Sequence, residues 1–225
     1  MRPRVIVNVA MSADGKLSTR ERRQVKISVP SDFARVDRLK AESDAVMVGI
    51  GTVLADDPSL TVKSEENRRM RTAEKKNEHP IRVVVDSRAR TPPAASLLHK
   101  GSGERVIAVS KKADPSRVAV LEKLATVITA GDDTVDLALL LERLSEMGVT
   151  RLMVEGGGTL IAGLFAAGLV SDFYTFVGNI IIGGKDAPTP VDGPGWIHEV
   201  DFTRLTLVSV SRMEDGALLH WRIGP

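Results

Sequence analysis

Three consecutive glycines stand where a strand is predicted to end and a helix to begin. Gly156, Gly157 and Gly158 follow the apolar run at 151–155 and precede Thr159, which starts the helix predicted at 159–167. Glycine lets backbone approach a phosphate closely, and a helix N-terminus offers N–H groups and a partial positive charge. The pattern favours a phosphate-binding loop over its alternative, a tight turn with close helix–sheet packing.

The glycine loop is not an ATPase signature. No Gly-Lys-Ser/Thr follows at the P-loop position, so ATP hydrolysis is not predicted. Gly49 and Gly51 follow another predicted strand, but they lack the third glycine of a dinucleotide fingerprint and are a weak signal alone.

A hydroxyl and two guanidinium groups follow the strand predicted at 81–86. Ser87, Arg88 and Arg90 suit a phosphomonoester, because arginine presents a rigid fork of donors. The 2′-phosphate that distinguishes NADPH from NADH is one candidate ligand. A solvated turn is the alternative.

Carboxylates also lie near predicted strand ends. Glu155 is the last residue of its strand, and burying it unpaired would be costly. We therefore expect it to face a cleft, where it could accept hydrogen bonds from amino groups of a heterocycle. Asp14, Asp56 and Asp57 lie at turns, and Asp57 is interpreted as a capping residue.

The remaining side chains favour binding over acid–base chemistry. The sequence has 4 histidines without a pair at metal-ligand spacing and no cysteine, so we predict no metal site, disulfide or thiol nucleophile. Nothing suggests a Ser–His–Asp triad. This inventory fits hydride transfer, in which the cofactor carries the chemistry and the protein orients it.

Composition predicts a soluble, cytoplasmic protein. The chain has 225 residues, 43% hydrophobic and 27% charged, with a net charge of +2, which disfavours disorder and nucleic-acid binding. The charged stretch at 63–79 mixes Arg and Glu and is predicted to be a solvated loop. No apolar run approaches the length of about 20 residues that spans a bilayer, and the run at 5–9 is too short for a signal peptide.

The order of elements predicts an α/β fold. Strands are expected at 5–10, 45–48, 81–86, 105–109, 125–129 and 151–155, and helices at 31–42, 115–124, 136–147 and 159–167, with a short helical turn at 53–57. This alternation predicts a mostly parallel central sheet flanked by helices, with ligands at the carboxyl ends of strands. Later strands, at 173–177, 180–182, 205–211 and 218–223, are expected to be antiparallel. One domain, 1–225, is the simplest account.

Several segments together resemble a known family. They are 8–17 (NVAMSADGKL), 49–62 (GIGTVLADDPSLTV), 80–87 (PIRVVVDS), 154–160 (VEGGGTL), 167–170 (AGLV) and 183–188 (GGKDAP). They resemble the reductase domain of riboflavin biosynthesis, which has a dihydrofolate-reductase-like fold, and the stand-alone archaeal type in particular.

The resemblance implies roles for individual residues. The positions that the resemblance implies for NADPH binding are Thr52, Asp56, Ser87, Gly156, Gly157, Gly158 and Thr159. Arg88 is expected to join them, because it follows Ser87 at the same strand end. The positions that the resemblance implies for substrate binding are Lys40, Leu60 and Lys63, with the lysines near its phosphate. Asn8 and Asp14 are also expected to bind substrate. Glu155 is expected to contact the substrate as the catalytic residue.

The resemblance also implies a reaction. A hydride would pass from NADPH to the anomeric carbon of a diaminopyrimidine ribosylamine phosphate, through its ring-opened imine, before any deamination. The alternatives are the deaminated substrate, a pterin reductase on the same fold, and a nucleotide-binding module without catalysis. A homodimer is expected.

Overall fold

The computed structural model describes residues 2–23 and 25–224. In chain order the strands are β1 (Arg4–Ser12), β2 (Ala45–Gly49), β3 (Ile81–Val85), β4 (Arg105–Val109), β5 (Thr126–Thr129), β6 (Arg151–Gly156), β7 (Asp172–Gly178), β8 (Leu205–Met213) and β9 (Gly216–Ile223). The helices are α1 (Pro30–Glu42), α2 (Ile50–Asp56), α3 (Glu65–Ala73), α4 (Ser96–His99), α5 (Pro115–Leu121), α6 (Leu137–Glu146) and α7 (Gly158–Ala166).

The chain divides into two compact units. One is built on Asp37–Met153 and the other on Val5–Val36 with the chain from Val154 onward. Strand β6 contributes its first three residues to the first unit and its last three to the second.

The first unit contains a parallel sheet, in the order β5-β4-β3-β2. Strands β2, β3 and β4 are mostly buried, as a parallel sheet covered by helices requires, whereas the edge strand β5 is partly exposed. Val48 pairs with Val84, and both are fully buried. The predicted strands at 45–48, 81–86, 105–109 and 125–129 are confirmed to within a residue at each end.

The charged stretch at 63–79 is not the solvated loop that composition predicts. Most of it forms helix α3, whose N-cap residue Ser64 accepts a hydrogen bond from the Asn67 backbone N–H at 3.4 Å. Arg71, on this helix, is 3% exposed and donates to the backbone oxygens of Ala41, Ser43 and Asn77. The loop prediction was wrong because a cap and one buried guanidinium stabilise a helix in a segment of low hydrophobicity.

The second unit combines parallel and antiparallel pairing. Strand β7 is parallel to β1, with Asn8 opposite Tyr174, and antiparallel to β9, which pairs with β8. The mostly parallel sheet with antiparallel C-terminal strands is thus confirmed. The strand predicted at 173–177 was expected to be antiparallel, and β7 is antiparallel to β9 but parallel to β1. Residues 180–182, which lie in the described part of the chain, do not form the predicted strand, because the Ile182 N–H bonds a side chain instead.

A buried histidine gives the first unit a pH dependence. His79 is 7% exposed, and its Nδ1 accepts a hydrogen bond from the Val62 N–H at 3.3 Å, which requires the neutral ring. Burial, reinforced by the charge of Arg82, lowers the pKa of His79 below 6.5. Protonation therefore favours the unfolded chain, and stability should decrease as the pH falls below 6.5 towards the folded-state pKa.

We expect His79→Asn to weaken this dependence, because asparagine offers an acceptor near the Nδ1 position and does not titrate. Melting temperature is measured between about pH 7.5 and about pH 5.5, above the range where carboxylates titrate. The parent should lose more stability across this interval than the variant. Equal losses in both proteins would contradict the assignment.

Candidate active site

The glycine loop joins β6 to α7 in the second unit. Gly157 is the N-cap residue of α7 and has φ 95° and ψ 93°, a conformation that only glycine adopts without strain. A Cβ atom on Gly158 would lie 2.7 Å from Asp192 Oδ2 and 2.7 Å from the Thr189 carbonyl oxygen. Close packing therefore explains Gly158, whereas the backbone conformation explains Gly157. Thr159 is exposed in the first turn of the helix.

Glu155 immediately precedes this loop. It is half-buried near the end of β6, next to buried Gly156. Its place at the carboxyl end of a strand is the one predicted from sequence. Such strand ends are where open α/β sheets bind ligands.

Asn8 lies on β1 with its amide oriented by a charged neighbour. It is 7% exposed, and its Oδ1 accepts a hydrogen bond from Arg35 Nη2 at 2.7 Å. Arg35 in turn donates to Asp32 Oδ1 at 2.8 Å, and its guanidinium lies 5.7 Å from the Tyr174 ring centre. Because the oxygen of Asn8 bonds Arg35, its amide group points its donors elsewhere.

Asp14 holds two segments of the second unit together. Its carboxylate accepts hydrogen bonds from Ser12 Oγ at 2.6 Å and from the backbone N–H groups of Ile182 at 3.0 Å and Gly183 at 2.7 Å. The Ser12 hydroxyl is the first cause that lowers the pKa of Asp14, to about 2. The carboxylate is thus ionised and already bonded within the chain.

A cavity of about 440 Å³ opens beside β1. The sequence analysis did not identify this cavity, which has a size typical of small-molecule sites. It is lined by Ala10, Leu17, Val25, Lys26, Ile27, Ser28 and Phe33. One signal was available, since Ala10 and the predicted site residue Asn8 alternate onto the same face of β1.

The other predicted cofactor residues lie in the first unit. Thr52 is half-buried in α2, and Asp56 is exposed at the end of that helix. Asp57 is the C-cap residue, as predicted, with φ 42°. Its carboxylate accepts hydrogen bonds from Ser96 N and Ser96 Oγ, each at 2.7 Å, which lower its pKa.

Ser87 joins loops that follow three neighbouring strands. Its Oγ accepts a hydrogen bond from Val135 N at 3.0 Å, and its carbonyl oxygen accepts one from Ser110 Oγ at 2.8 Å. Exposed Arg88 donates to the Lys112 carbonyl at 3.2 Å. The structure thus brings Ser110 and Lys112 to Ser87 and Arg88, and sequence reasoning did not find these two partners.

The predicted phosphate contacts also lie in the first unit. Lys40 is in the last turn of α1, and Lys63 follows Leu60 in the loop between α2 and α3. Leu60 is 3% exposed and has φ 54°, an uncommon conformation for a residue other than glycine. Lys63 Nζ donates to Ser59 Oγ and Thr61 Oγ1.

The described residues 2–23 and 25–224 were searched for metal sites and membrane-spanning helices. Within them, no group of three or more His, Asp or Glu side chains is placed to hold a metal ion. Over the same residues, no helix is both long and apolar enough to span a membrane.

We expect Gly157→Ala to weaken NADPH binding by at least about tenfold, because a Cβ atom disfavours the backbone conformation at φ 95° that opens the loop. Gly168→Ala is the matched control, since Gly168 also has a positive φ, follows the other end of α7 and has open space around its Cβ position. Both variants should lose stability, but only Gly157→Ala should change the dissociation constant measured by NADPH fluorescence. Equal affinities in the two variants would mean that the glycine serves the turn alone.

Comparison with known proteins agrees with the sequence motifs. A reductase of Archaeoglobus fulgidus, named 2,5-diamino-6-ribosylamino-4(3H)-pyrimidinone 5′-phosphate reductase, is 51% identical over 88% of this chain and 90% of its own. A protein of the same name from Methanothermobacter thermautotrophicus is 48% identical over 92% of each chain.

Solved structures give the same fold. Acinetobacter baumannii RibD superposes with a TM-score of 0.81 at 23% identity. The match covers all of this chain and 59% of the RibD chain. The predicted dihydrofolate-reductase-like fold is confirmed by this likeness. The family model described as the RibD C-terminal domain matches residues 3–219. The chain therefore belongs to the RibD C-terminal domain family.

Proposed function

We propose that this chain reduces 2,5-diamino-6-ribosylamino-4(3H)-pyrimidinone 5′-phosphate with NADPH in riboflavin biosynthesis. The observation that carries this proposal is the 51% identity to the Archaeoglobus reductase of that name, over nearly the full length of both chains. We further propose that both compact units belong to one cytoplasmic reductase domain.

The reaction needs one hydride and one proton. When bound, NADPH would supply the hydride for the anomeric carbon of the ring-opened imine. The imine nitrogen would take the proton, which gives the secondary amine of a ribityl chain. The protein's task is to bind and orient the two reactants, since the cofactor carries the chemistry.

The residues of the glycine loop and of the β3 end fit such a cofactor. Gly157 presents backbone at a helix N-terminus, which suits a diphosphate. Ser87 and Arg88 supply a hydroxyl and a guanidinium, which suit the additional phosphate of NADPH. Thr52, Asp56 and Thr159 complete the proposed cofactor set.

The proposed substrate contacts differ in chemistry. Glu155 is a hydrogen-bond acceptor for the amino groups of the pyrimidine, and Asn8 presents the donors of its amide. Leu60, Lys40 and Lys63 contact the substrate, and the two lysines lie near its phosphate. Asp14 contributes by fixing the segment at 182–183 as well as by any direct contact, because its oxygens already accept backbone N–H groups.

Mass spectrometry of the product tests the function. With NADPH, the diaminopyrimidine substrate should gain two hydrogens, and NADPH should exceed NADH by at least about tenfold in kcat/KM, as expected for one charged phosphate contact. A gain of two hydrogens only in the deaminated substrate would favour reduction after deamination. Reduction of neither compound would reject the proposal.

Glu155→Gln should lower kcat/KM by about ten- to a hundredfold while NADPH affinity stays unchanged.

We also propose that the protein is a homodimer. What supports this is strand β8, which pairs with β9 on one side and is exposed along nearly its whole length. Its apolar side chains include Leu207 at 48%, Val208 at 44% and Val210 at 59% exposure. A long, exposed, apolar edge strand is typical of a surface that pairs with another chain.

Val210→Lys should convert the dimer to a monomer in light scattering, because a lysine on an edge strand opposes pairing. Val120→Lys, at a valine of 41% exposure on α5, is the matched control and should remain dimeric. A parent protein with the mass of a single chain would end this proposal.

A further inference from the structure

The protein bonds only one side of the Asn8 amide group. Its Oδ1 accepts a hydrogen bond from Arg35 Nη2 at 2.7 Å. The opposite orientation would set the amide NH2 against a guanidinium, which donates but never accepts, so the oxygen must face Arg35. Among residues 2–23 and 25–224, no group accepts a hydrogen bond from Asn8 Nδ2. Asn8, although only 7% exposed, therefore keeps donors for a ligand.

Two further groups hold the Arg35 guanidinium in this position. Its Nε donates to Asp32 Oδ1 at 2.8 Å, and Nη2, which bonds Asn8, lies 2.7 Å from the same oxygen. Asp32 is 1% exposed, so this ion pair is largely shielded from water. The guanidinium also lies 5.7 Å from the Tyr174 ring centre, within the range of a cation–π contact. Turning Arg35 away from Asn8 would therefore leave a buried carboxylate without its partner.

Strands β7 and β9 fix the Tyr174 ring in turn. Tyr174 lies opposite Asn8 on β1 and opposite His220 on β9. The His220 ring stacks on it, with 4.1 Å between ring centres and 11° between planes. His220 Nε2 lies 2.8 Å from Oδ1 of Asp172, which is 1% exposed. The support of Arg35 thus extends across three strands of the second unit.

The face of β1 that carries Asn8 also borders the cavity of about 440 Å³. Ala10, which lines this cavity, lies two residues further along the strand and therefore on the same face. Phe33 lines the cavity from α1, and it lies between Asp32 and Arg35 in sequence. The fixed amide thus stands next to a space of small-molecule size.

We propose that Arg35 is a positioning residue that fixes the Asn8 amide, so that Asn8 donates to the ring carbonyl oxygen of the pyrimidinone and rejects a ring with an amino group there. The inference rests on the proposed function and adds a specificity-determining contact to it. A carbonyl oxygen only accepts hydrogen bonds, whereas an amino group would meet Nδ2 donor against donor. Without Arg35, the amide can rotate by half a turn and present its oxygen instead.

Calorimetry with two pyrimidines tests this inference without turnover. One, 2,5,6-triamino-4(3H)-pyrimidinone, carries the carbonyl acceptor, and the other, 2,4,5,6-tetraaminopyrimidine, has an amino donor in its place. The parent should bind the pyrimidinone more tightly. Arg35→Met should reduce the ratio of the two dissociation constants by at least about tenfold, because the amide is then free to rotate. Asp32→Leu/Arg35→Met should do the same without leaving a buried unpaired carboxylate.

Two other variants complete the design. Arg38→Met, which removes an exposed pair with Glu42 from the same helix, is the matched control and should keep the parent's ratio. Asn8→Ala should lose the discrimination, and adding Arg35→Met to it should change the ratio no further, because Arg35 acts through Asn8.

Three results would overturn the inference: a parent that does not bind the pyrimidinone, an unchanged ratio in Arg35→Met, or equal weakening with both pyrimidines, which would mean that Arg35 serves stability alone. Loss of discrimination in the variants, without reduction of either ribosylamine by the parent, would retain the Asn8 contact and reject the proposed function. Reduction by the parent with the same ratio in every variant would do the reverse.

Discussion

Backbone carbonyl groups in long connections must find hydrogen-bond donors when they are buried, and in the first unit two arginines supply them. Arg71 satisfies the oxygens of Ala41, Ser43 and Asn77. Arg82 is fully buried and donates to four carbonyl oxygens between residues 97 and 103. Burial lowers its pKa to about 10. These hydrogen bonds hold the connections in place, because breaking one would leave a buried guanidinium or carbonyl group without a partner.

The candidate loops of the two units are supported in two different ways. At the end of β6, the glycine loop depends on the backbone itself, through the conformation of Gly157 and the close approach at Gly158. Around Lys63 and Ser87, side chains that are distant in sequence hold the loops in place. The first kind tolerates few residue types, whereas the second depends on pairs of residues.

The sequence predicted most strands because β-branched runs are a strong local signal, and it located the loops that follow them. It missed helix α3, although Ser64 followed by Glu65 and Glu66 is an ordinary helix start, since the segment's charge suggested solvent exposure. It also missed the partners of the site residues. Asp37 and Lys63 are 26 residues apart, and Ser87 and Val135 are 48 apart, so no periodicity relates them.

The loop from Asp57 to Lys63 is anchored at both ends and strained in the middle. Ser96 bonds Asp57, Asp37 bonds Lys63, and buried Leu60 keeps a positive φ between them. A ligand that meets such a loop loses little free energy in ordering it, because conformational entropy has already been lost on folding. A small fragment that binds this loop should therefore have a high binding free energy per atom. The loop is for this reason a favourable starting point for inhibitors built from fragments.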